Sequence, residues 1–509
     1  MRKKILVKGA IIVLIASVVT RILGFFFRVF LADKLGAQGM GVYQLILSLY
    51  LLVVTLATSG VSFSVSRLVA ENMATSKNNN SKYILKTAIL WAIFLSAIVS
   101  FIMVFFRNYI GANILRDERT TLSILWLAPS LPFIAISSCI KGYFFAKRKP
   151  LYPSTASIIE QIIKMIIITI MLDISLNTTI STSCAIISIG MTISEVISAI
   201  YMAFLYFKGN NGVKYETVER RKTLSNILKV SIPVQTSTTF NSALKLIESI
   251  LIIESLKIFT KGDVQAATSS YGIIKGMVFP LILFPTSFLQ AIITVLIPEL
   301  SGATAGGNKR AIKKACEKSL QLTLILGIFV AAIFIMFPNK IASMFYKNPE
   351  VGPMLKILST LCPIMYVQLI CMGILNSIGE QVASMKYNFL DGILKVALIA
   401  ILVPKGGINA FLFLTFACNI FILFLYAFKL AKSTSFPICI SDILIKPIFS
   451  IVVACFISLP LTTKLENMMP NWALVSLISF VIFLVYAIML LNLGCVKINK
   501  YITIFNKNR

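Results

Sequence analysis

Two acid-x-x-x-lysine units, Glu160 with Lys164 and Asp391 with Lys395, lie inside apolar stretches of the chain, 231 residues apart. A step of four returns a helical side chain to the same face, so each acid can neutralise its own lysine. Two uses are open: a structural ion pair that holds a bundle, or a pair that lines a cavity and changes partners as the protein works. Arg21 lies thirteen residues beyond Lys8, about 20 Å along a helix rising ~1.5 Å per residue. That places it near a bilayer midplane, where snorkelling is not enough and the side chain should face an aqueous cavity. A guanidinium in a cavity is well made to hold phosphate oxygens in a bidentate grip. Arg28, one or two turns further out, either shares that anion or reaches the outer headgroups. Arg67, near the end of the second apolar stretch, reads as a snorkelling anchor.

The second half repeats the theme. Lys275 sits in Tyr271-Gly-Ile-Ile-Lys-Gly276, in a helix then broken by Pro280 and Pro285. Helix breaks at membrane depth free backbone carbonyls and are tolerated where protein or cavity water re-satisfies them, which makes Lys275 a second candidate for an anionic head group. Glu248 is three residues from Lys245, so a local pair is expected; Glu254 is close enough to one face to be wetted. Glu195 has no local partner and is either a cation or proton site or the partner of a lysine on another helix.

These groups need elements to carry them, and composition supplies the class. With 58% hydrophobic and 13% charged residues and a mean hydropathy of +0.89, a 509-residue chain is not an ordinary soluble domain. Crossing a hydrocarbon core of about 30 Å takes ~20 helical residues. Apolar runs of that length predict fourteen spans, near 8–32, 40–70, 84–106, 120–146, 151–172, 181–207, 224–257, 265–299, 315–337, 354–379, 383–403, 408–428, 443–461 and 471–494. The net charge of +29 is spread over loops rather than gathered on a basic domain, so nucleic acid is not the expected partner. With the amino terminus inside, the loops of that side carry more than twice the Lys and Arg of the other. The positive-inside rule then puts both termini in the cytoplasm of a multi-pass cell-membrane protein. The apolar stretch after Met1–Lys8 is interrupted by Arg21 and Arg28 and shows no small-x-small site, so it reads as an uncleaved first helix.

Several chemistries are disfavoured. The chain has no histidine, which removes histidine proton relays, Ser-His-Asp catalysis and most zinc sites. Nine cysteines, mostly inside apolar spans and without a C-x-x-C pair, read as small buried side chains, not metal ligands or disulfides. The longest expected loop, Lys208–Lys222, is too short to be a domain, and Asp117-Glu118 reads as a solvated turn. Neither an enzyme nor a metal or other cofactor is expected.

The interval from Pro132 to Lys164 recurs ungapped, so that Pro132, Gly142, Glu160, Ile162 and Lys164 fall on Pro363, Gly373, Asp391, Ile393 and Lys395. Internally repeated hydrophobic bundles with interior charges are the architecture of solute transporters. The expected fold is an all-α polytopic membrane protein of about fourteen helices, two pseudo-symmetric six-helix lobes plus two C-terminal helices. Its parts are a lobe at 1–208, a cytoplasmic linker at 209–222, a lobe at 223–432, two helices within 433–496 and a basic cytoplasmic tail at 497–509.

Specific motifs carry a resemblance. Thr20-Arg-Ile-Leu-Gly-Phe-Phe-Phe-Arg-Val-Phe-Leu-Ala-Asp-Lys-Leu-Gly-Ala-Gln-Gly-Met-Gly-Val-Tyr43, Leu56-Ala-Thr-Ser-Gly-Val and Ser66-Arg-Leu-Val-Ala-Glu71 resemble the stage V sporulation protein B family. Tyr271-Gly-Ile-Ile-Lys-Gly-Met-Val-Phe-Pro-Leu, Ile297-Pro-Glu-Leu-Ser301 and Gly373-Ile-Leu-Asn-Ser-Ile-Gly379 fit the same family, one of the polysaccharide exporters of the multidrug/oligosaccharidyl-lipid/polysaccharide superfamily. The resemblance implies a role in spore cortex peptidoglycan synthesis. Through the related MurJ lipid II flippases it implies turnover of an undecaprenyl-pyrophosphate-linked saccharide, with membrane lipid around it and a peptidoglycan polymerase as a candidate partner. Arg21-x-x-Gly24 matches the MurJ first helix, where that arginine serves the substrate cavity; Arg28 is offset by one residue from the second MurJ arginine. Ser62 and Glu248 stand where the sporulation pattern commonly has Pro and Asp, and Ser377 lies in a stretch often richer in glycine.

The expected function is an alternating-access flippase with Arg21, Arg28, Lys275 and Glu248 at the substrate, Glu160, Lys164, Asp391 and Lys395 as interior charge pairs, and Glu195 as an ion-site candidate. The alternative is an H+- or Na+-coupled exporter of small amphipathic or cationic compounds, in which Glu160, Glu195 and Glu248 would bind substrate or ion. A membrane-embedded enzyme such as a saccharide polymerase is a third reading, and the chain lacks the large loop it would need.

Overall fold

The computed structural model describes residues 2–74, 80–175, 179–208, 220–434, 444–466 and 468–495. The linker expected at 209–222, save its last three residues, and the tail expected at 497–509 lie outside the described residues. Among the described residues there is no strand. Apolar runs in lipid satisfy their backbone only by closing every hydrogen bond within the segment, and the α-helix does this locally.

A first compact unit comprises Met1–Gly276 with Lys395–Ile408. Its helices are α1 (Arg2–Ala74), α2 (Asn80–Phe105), the single turn α3 (Arg107–Tyr109), α4 (Thr121–Leu127), α5 (Ser130–Ala146), α6 (Leu151–Ile174), α7 (Ile180–Lys208), α8 (Arg220–Phe259) and α9 (Val264–Tyr271). A π-helical stretch, Gly272–Val278, follows α9 and carries Lys275. Val61, Val65 and Val69 of α1, Leu85, Ala88 and Ala92 of α2, and Ala135, Cys139 and Tyr143 of α5 form a buried cluster in this unit.

A second unit comprises Met277–Leu394 with Asn409–Arg509. Its helices are α10 (Phe279–Leu283), α11 (Thr286–Ala305), α12 (Lys309–Met336), α13 (Pro338–Phe345), α14 (Val351–Ser359), α15 (Cys362–Ser377), α16 (Gln381–Thr434), α17 (Lys446–Leu465) and α18 (Asn471–Asn492). Residues 395–408 of α16 count with the first unit.

Among the described residues nine helices are long and apolar enough to cross a membrane, or eleven when each of two bent pairs is taken as one span. At 73 and 54 residues, α1 and α16 are far longer than one crossing needs. Each is broken at a glycine of positive φ, Gly36 at 67° and Gly407 at 58°, a conformation that a Cβ disfavours.

The spans expected at 120–146 and 354–379 are not straight. The helical stretch Glu118–Leu127 meets α5 at 49°, and α14 meets α15 at 55°. Proline explains both, because Pro129 and Pro363 have no N–H to continue the helical ladder. Side chains take up exposed carbonyls at each break: Ser130 Oγ donates to Leu127 O at 2.6 Å, Ser100 Oγ to Ala128 O at 2.7 Å, and Thr360 Oγ1 to Ile357 O at 2.7 Å. The two breaks, at 128–129 and 360–361, lie within one residue of the 231-residue offset between the recurring stretches. The break expected at Pro280 and Pro285 is also present, between α10 and α11, where Thr286 Oγ1 donates to Leu283 O at 2.6 Å and Tyr366 Oη to Ile282 O at 2.7 Å. Of the eight described cysteines none is in a disulfide and seven are buried, as small apolar side chains should be.

Candidate functional site

Three contacts set the register between the first part of α1 and α6. A Cβ on Gly9 would lie 3.2 Å from Pro150 Cγ, one on Gly24 would lie 3.7 Å from Gln161 Nε2, and Lys34 Nζ is 2.6 Å from Asp173 Oδ1. The sequence offset stays at roughly 140 residues throughout, so the two segments run parallel over about 25 residues, near 38 Å. That register brings Arg21 to the level of Glu160 and Arg28 to within about a turn of Lys164.

Around Glu160 the first unit gathers charges from four helices. Lys141 Nζ of α5 donates to Glu160 Oε2 at 3.2 Å, and Ser198 Oγ of α7 donates to the same oxygen at 3.0 Å. The Lys141 and Glu160 side chains are 23% and 20% exposed, so they border accessible space rather than sealed protein. Lys164, half-buried one turn along from Glu160, makes no hydrogen bond or ion pair with a described residue, although Glu160, Glu195, Arg28 and Lys141 are all within its electrostatic reach. Glu195 of α7 accepts from Tyr50 Oη of α1 at 3.5 Å. The set therefore holds three cations and two carboxylates.

A second cluster forms where α8 meets the π-helical stretch. Lys275 Nζ donates to Glu248 Oε1 at 2.9 Å, with the side chains 27% and 18% exposed. Lys245 of α8 and Lys395 of α16 add positive charge within reach of the same carboxylate. Close helix crossing positions Lys275: a Cβ on Gly272 would sit 2.0 Å from Ala37 O, and one on Gly41 would sit 2.2 Å from Thr268 O. Only the missing side chains let α1 approach α9 and the π-helical stretch so closely, and π-helical insertions often mark functional positions.

Two of the local pairs expected from spacing, Glu160 with Lys164 and Glu248 with Lys245, are replaced by pairs between helices. Glu160 binds Lys141 instead of Lys164, and Glu248 binds Lys275 instead of Lys245. Interhelical partners win because each helix hairpin presents opposed side chains at matching depth. The midpoint of Lys141 and Glu160 falls in the turn after α5, and that of Lys275 and Glu248 in the turn at Thr260–Asp263. That mirror symmetry about a turn is a signal sequence reasoning could have used, and without it Lys141, Tyr50 and Ser198 went unnoticed. Of the two roles open for Glu195, the neighbouring lysines lie on other helices, α5 and α6. Arg21 is exposed and makes no hydrogen bond or ion pair with a described residue. Arg67 pairs with Glu71 at 2.8 Å on an exposed face. Asp391 and Lys395 share α16, with Tyr426 within electrostatic reach of Asp391.

A third group ties the 116–120 connector to α8. Arg116 Nη1 binds Glu254 Oε2 at 3.0 Å, and Lys257 Nζ binds Glu254 Oε1 at 2.7 Å and Arg116 O at 3.2 Å. Asp117 does not belong to a solvated turn: its side chain is 7% exposed, gripped by Arg119 at 2.6 Å, and it accepts from the Arg119 backbone N–H. The hydrogen bond to Asp117, with the Asp117 charge adding to it and burial opposing it, holds the Arg119 guanidinium above its ordinary range.

Against known proteins, a family model described as polysaccharide biosynthesis protein matches residues 6–303, and a MatE model matches residues 258–401. Stage V sporulation protein B of Bacillus subtilis (strain 168) is 26% identical over 467 residues, covering 90% of this chain and 89% of that protein. The sporulation protein YkvU of the same organism is 24% identical over 355 residues, covering 69% and 78%. Among solved structures, the lipid II flippase MurJ in an inward closed conformation is similar with a TM-score of 0.66 and 17% identity, covering 94% of this chain and 98% of that one. An inward-facing multidrug resistance MATE family transporter of the MOP superfamily also gives 0.66, at 12% identity, covering 84% and 98%. Both likenesses bear on the fold, a polytopic helical membrane protein of the MATE and MurJ kind.

Proposed function

Because the chain belongs to the polysaccharide biosynthesis protein family, a membrane transporter family rather than one of soluble catalysts, we propose that it is an alternating-access flippase. Its cargo is an undecaprenyl-pyrophosphate-linked saccharide, a peptidoglycan precursor, and its setting is spore cortex synthesis. The observation that carries this reading is the sign of the interior: Glu160 and Glu248 are each occupied by a lysine, while Arg21, Arg28 and Lys164 make no ion pair with a described residue. An interior with surplus fixed positive charge suits an anionic head group. The alternative, a cation-coupled exporter, needs carboxylates free to bind an ion, and two of its three acids are already neutralised.

The topology we propose has fourteen spans, both termini in the cytoplasm of the cell-membrane protein, lobes at 1–208 and 223–432, and a peripheral pair within 433–496. Arg21, Arg28 and Lys275 hold the pyrophosphate, Glu248 fixes Lys275, and no covalent step is required, only an affinity that differs between states. The prenyl tail stays in lipid, for which the second unit offers an apolar groove. This cavity of about 530 Å³ lies between α12, α15 and α17 and is lined by Ile328, Ile335, Pro363, Ile451, Val452 and Phe456, among others. A polymerase that consumes the flipped saccharide is the protein partner this role calls for.

The test uses liposomes holding the purified protein and a fluorescent undecaprenyl-pyrophosphate saccharide, and follows its exposure to an impermeant quencher. Wild type should expose the lipid faster than protein-free vesicles, and Arg21→Ala should abolish the gain while inserting normally. No gain with wild type, together with no binding, would move the assignment to the cation-coupled exporter.

A further inference from the structure

Lys164 stands one turn from a carboxylate it could reach on its own helix, yet that carboxylate is held by Lys141 of α5 and Ser198 of α7. Glu160 and Glu195 attract Lys164 across space and Arg28 and Lys141 are its neighbours of like charge, yet neither Lys164 nor Arg28 makes an ion pair with a described residue. Burial strengthens such repulsion, and interior charges at membrane depth mark functional sites. Two cations held in reach of one another are stabilised by an anion placed between them. A guanidinium beside a mobile ammonium suits phosphate oxygens, the first by its fork and the second as a point charge. Glu195, turned toward Tyr50, keeps the set one positive charge in excess rather than two.

We propose that Lys164 and Arg28 form a two-cation grip for the pyrophosphate, and that Lys141 is its positioning residue, holding Glu160 so that Lys164 stays available. The identity of the ligand rests on the flippase reading; the release of Lys164 by Lys141 rests on the geometry alone. Lys141 need not touch the anion. Removing its ammonium leaves Glu160 with Lys164 as the lysine on its own helical face, and the grip closes internally. Neutralising Glu160 as well should then restore the grip without restoring Lys141.

The experiment measures binding in detergent micelles, with no transport step, for wild type, Lys164→Met, Lys141→Met and the double variant Lys141→Met/Glu160→Gln. The probes are undecaprenyl pyrophosphate, inorganic pyrophosphate and, as the uncharged control, undecaprenol. Lys164→Met and Lys141→Met should each weaken both pyrophosphate probes about tenfold or more and leave undecaprenol unchanged. The double variant should recover to within about threefold of wild type. That recovery also excludes misfolding as the cause of the Lys141→Met loss. Binding of the lipid probe alone would mean that the tail, and not the two cations, holds it, and would overturn the grip. Wild-type affinity in Lys141→Met, or a double variant no better than Lys141→Met, would overturn the positioning role while leaving the flippase reading intact. Wild type that binds neither pyrophosphate probe would instead remove the head-group reading on which both stand.

Discussion

Replacing Gly272 with alanine tests whether close backbone approach builds the Lys275 site. A Cβ there would lie 2.0 Å from Ala37 O, 2.6 Å from Gly41 N and 3.1 Å from Ala37 C. All three are backbone atoms, so no side chain can rotate away, and an ordinary contact needs a separation of about 1 Å more between α1 and the π-helical stretch. Overpacking of this kind costs about 1–3 kcal/mol, against which the lower chain entropy of alanine returns roughly 0.4–1 kcal/mol. The net expectation is a loss of about 1–2 kcal/mol, with Lys275 displaced from Glu248 by a distance comparable to the slack in a 2.9 Å hydrogen bond. The assay is unfolding by SDS titration in mixed micelles, read by tryptophan fluorescence. Two other glycines calibrate it: Gly276→Ala, with Met40 carbons at 3.1 Å, should fall between, and Gly302→Ala, with nothing within 4 Å, should be neutral or slightly stabilising. A Gly272→Ala protein as stable as wild type, or a reversed order among the three, would refute the argument from close approach.

Other consequences are open to the same measurement. Gly36→Ala meets no neighbour but keeps a φ of 67° with a ψ of −176°, a region nearly reserved for glycine, so it should lose about 1–3 kcal/mol from backbone strain alone. Gly407→Ala adds a clash with the Phe259 ring at 2.5 Å and should lose more than Gly36→Ala; equal losses would discount the clash. Tyr366→Phe removes the donor to Ile282 O beside the helix break and should destabilise by about 1–3 kcal/mol, and a neutral result would mean that carbonyl has another donor. A double-mutant cycle on Arg116→Ala and Glu254→Ala should return a coupling of about 0.2–1 kcal/mol, since the arginine is 58% exposed. A coupling of zero at low salt would remove the pair as a tie between the connector and α8.

Much of the scaffold could be read from the chain because lipid imposes one length and one secondary structure on an apolar run. The limits of α6, α7 and α18 fall within two residues of the expected spans. Proline announced the break at Pro280 and Pro285, and Pro129 and Pro363 carried the same signal for the 49° and 55° bends inside runs that length and hydropathy read as single spans. Side-chain partners were harder to read than spans. Spacing of four favoured Glu160 with Lys164, but a helix offers a same-face neighbour only if nothing on the next helix reaches it first. Lys141 does, from the opposite arm of the hairpin. The functional charges themselves were visible as the rare ionisable residues in apolar sequence; which of them are already partnered depends on packing between helices.

The parallel alignment of α1 and α6 limits how the protein can move. It is fixed at Gly9 against Pro150 at one end and by Lys34 with Asp173 at the other, with Gly24 against Gln161 between them. A piston-like slide of either helix along the other would strip all three contacts at once. Any change of compartment for Arg28 and Lys164 must therefore carry both helices as a single lever. For the same reason, deleting one residue between Gly24 and Arg28 would turn the arginine about 100° around its axis while the anchor nearer the amino terminus held, unsetting the alignment with Lys164 without removing a charge.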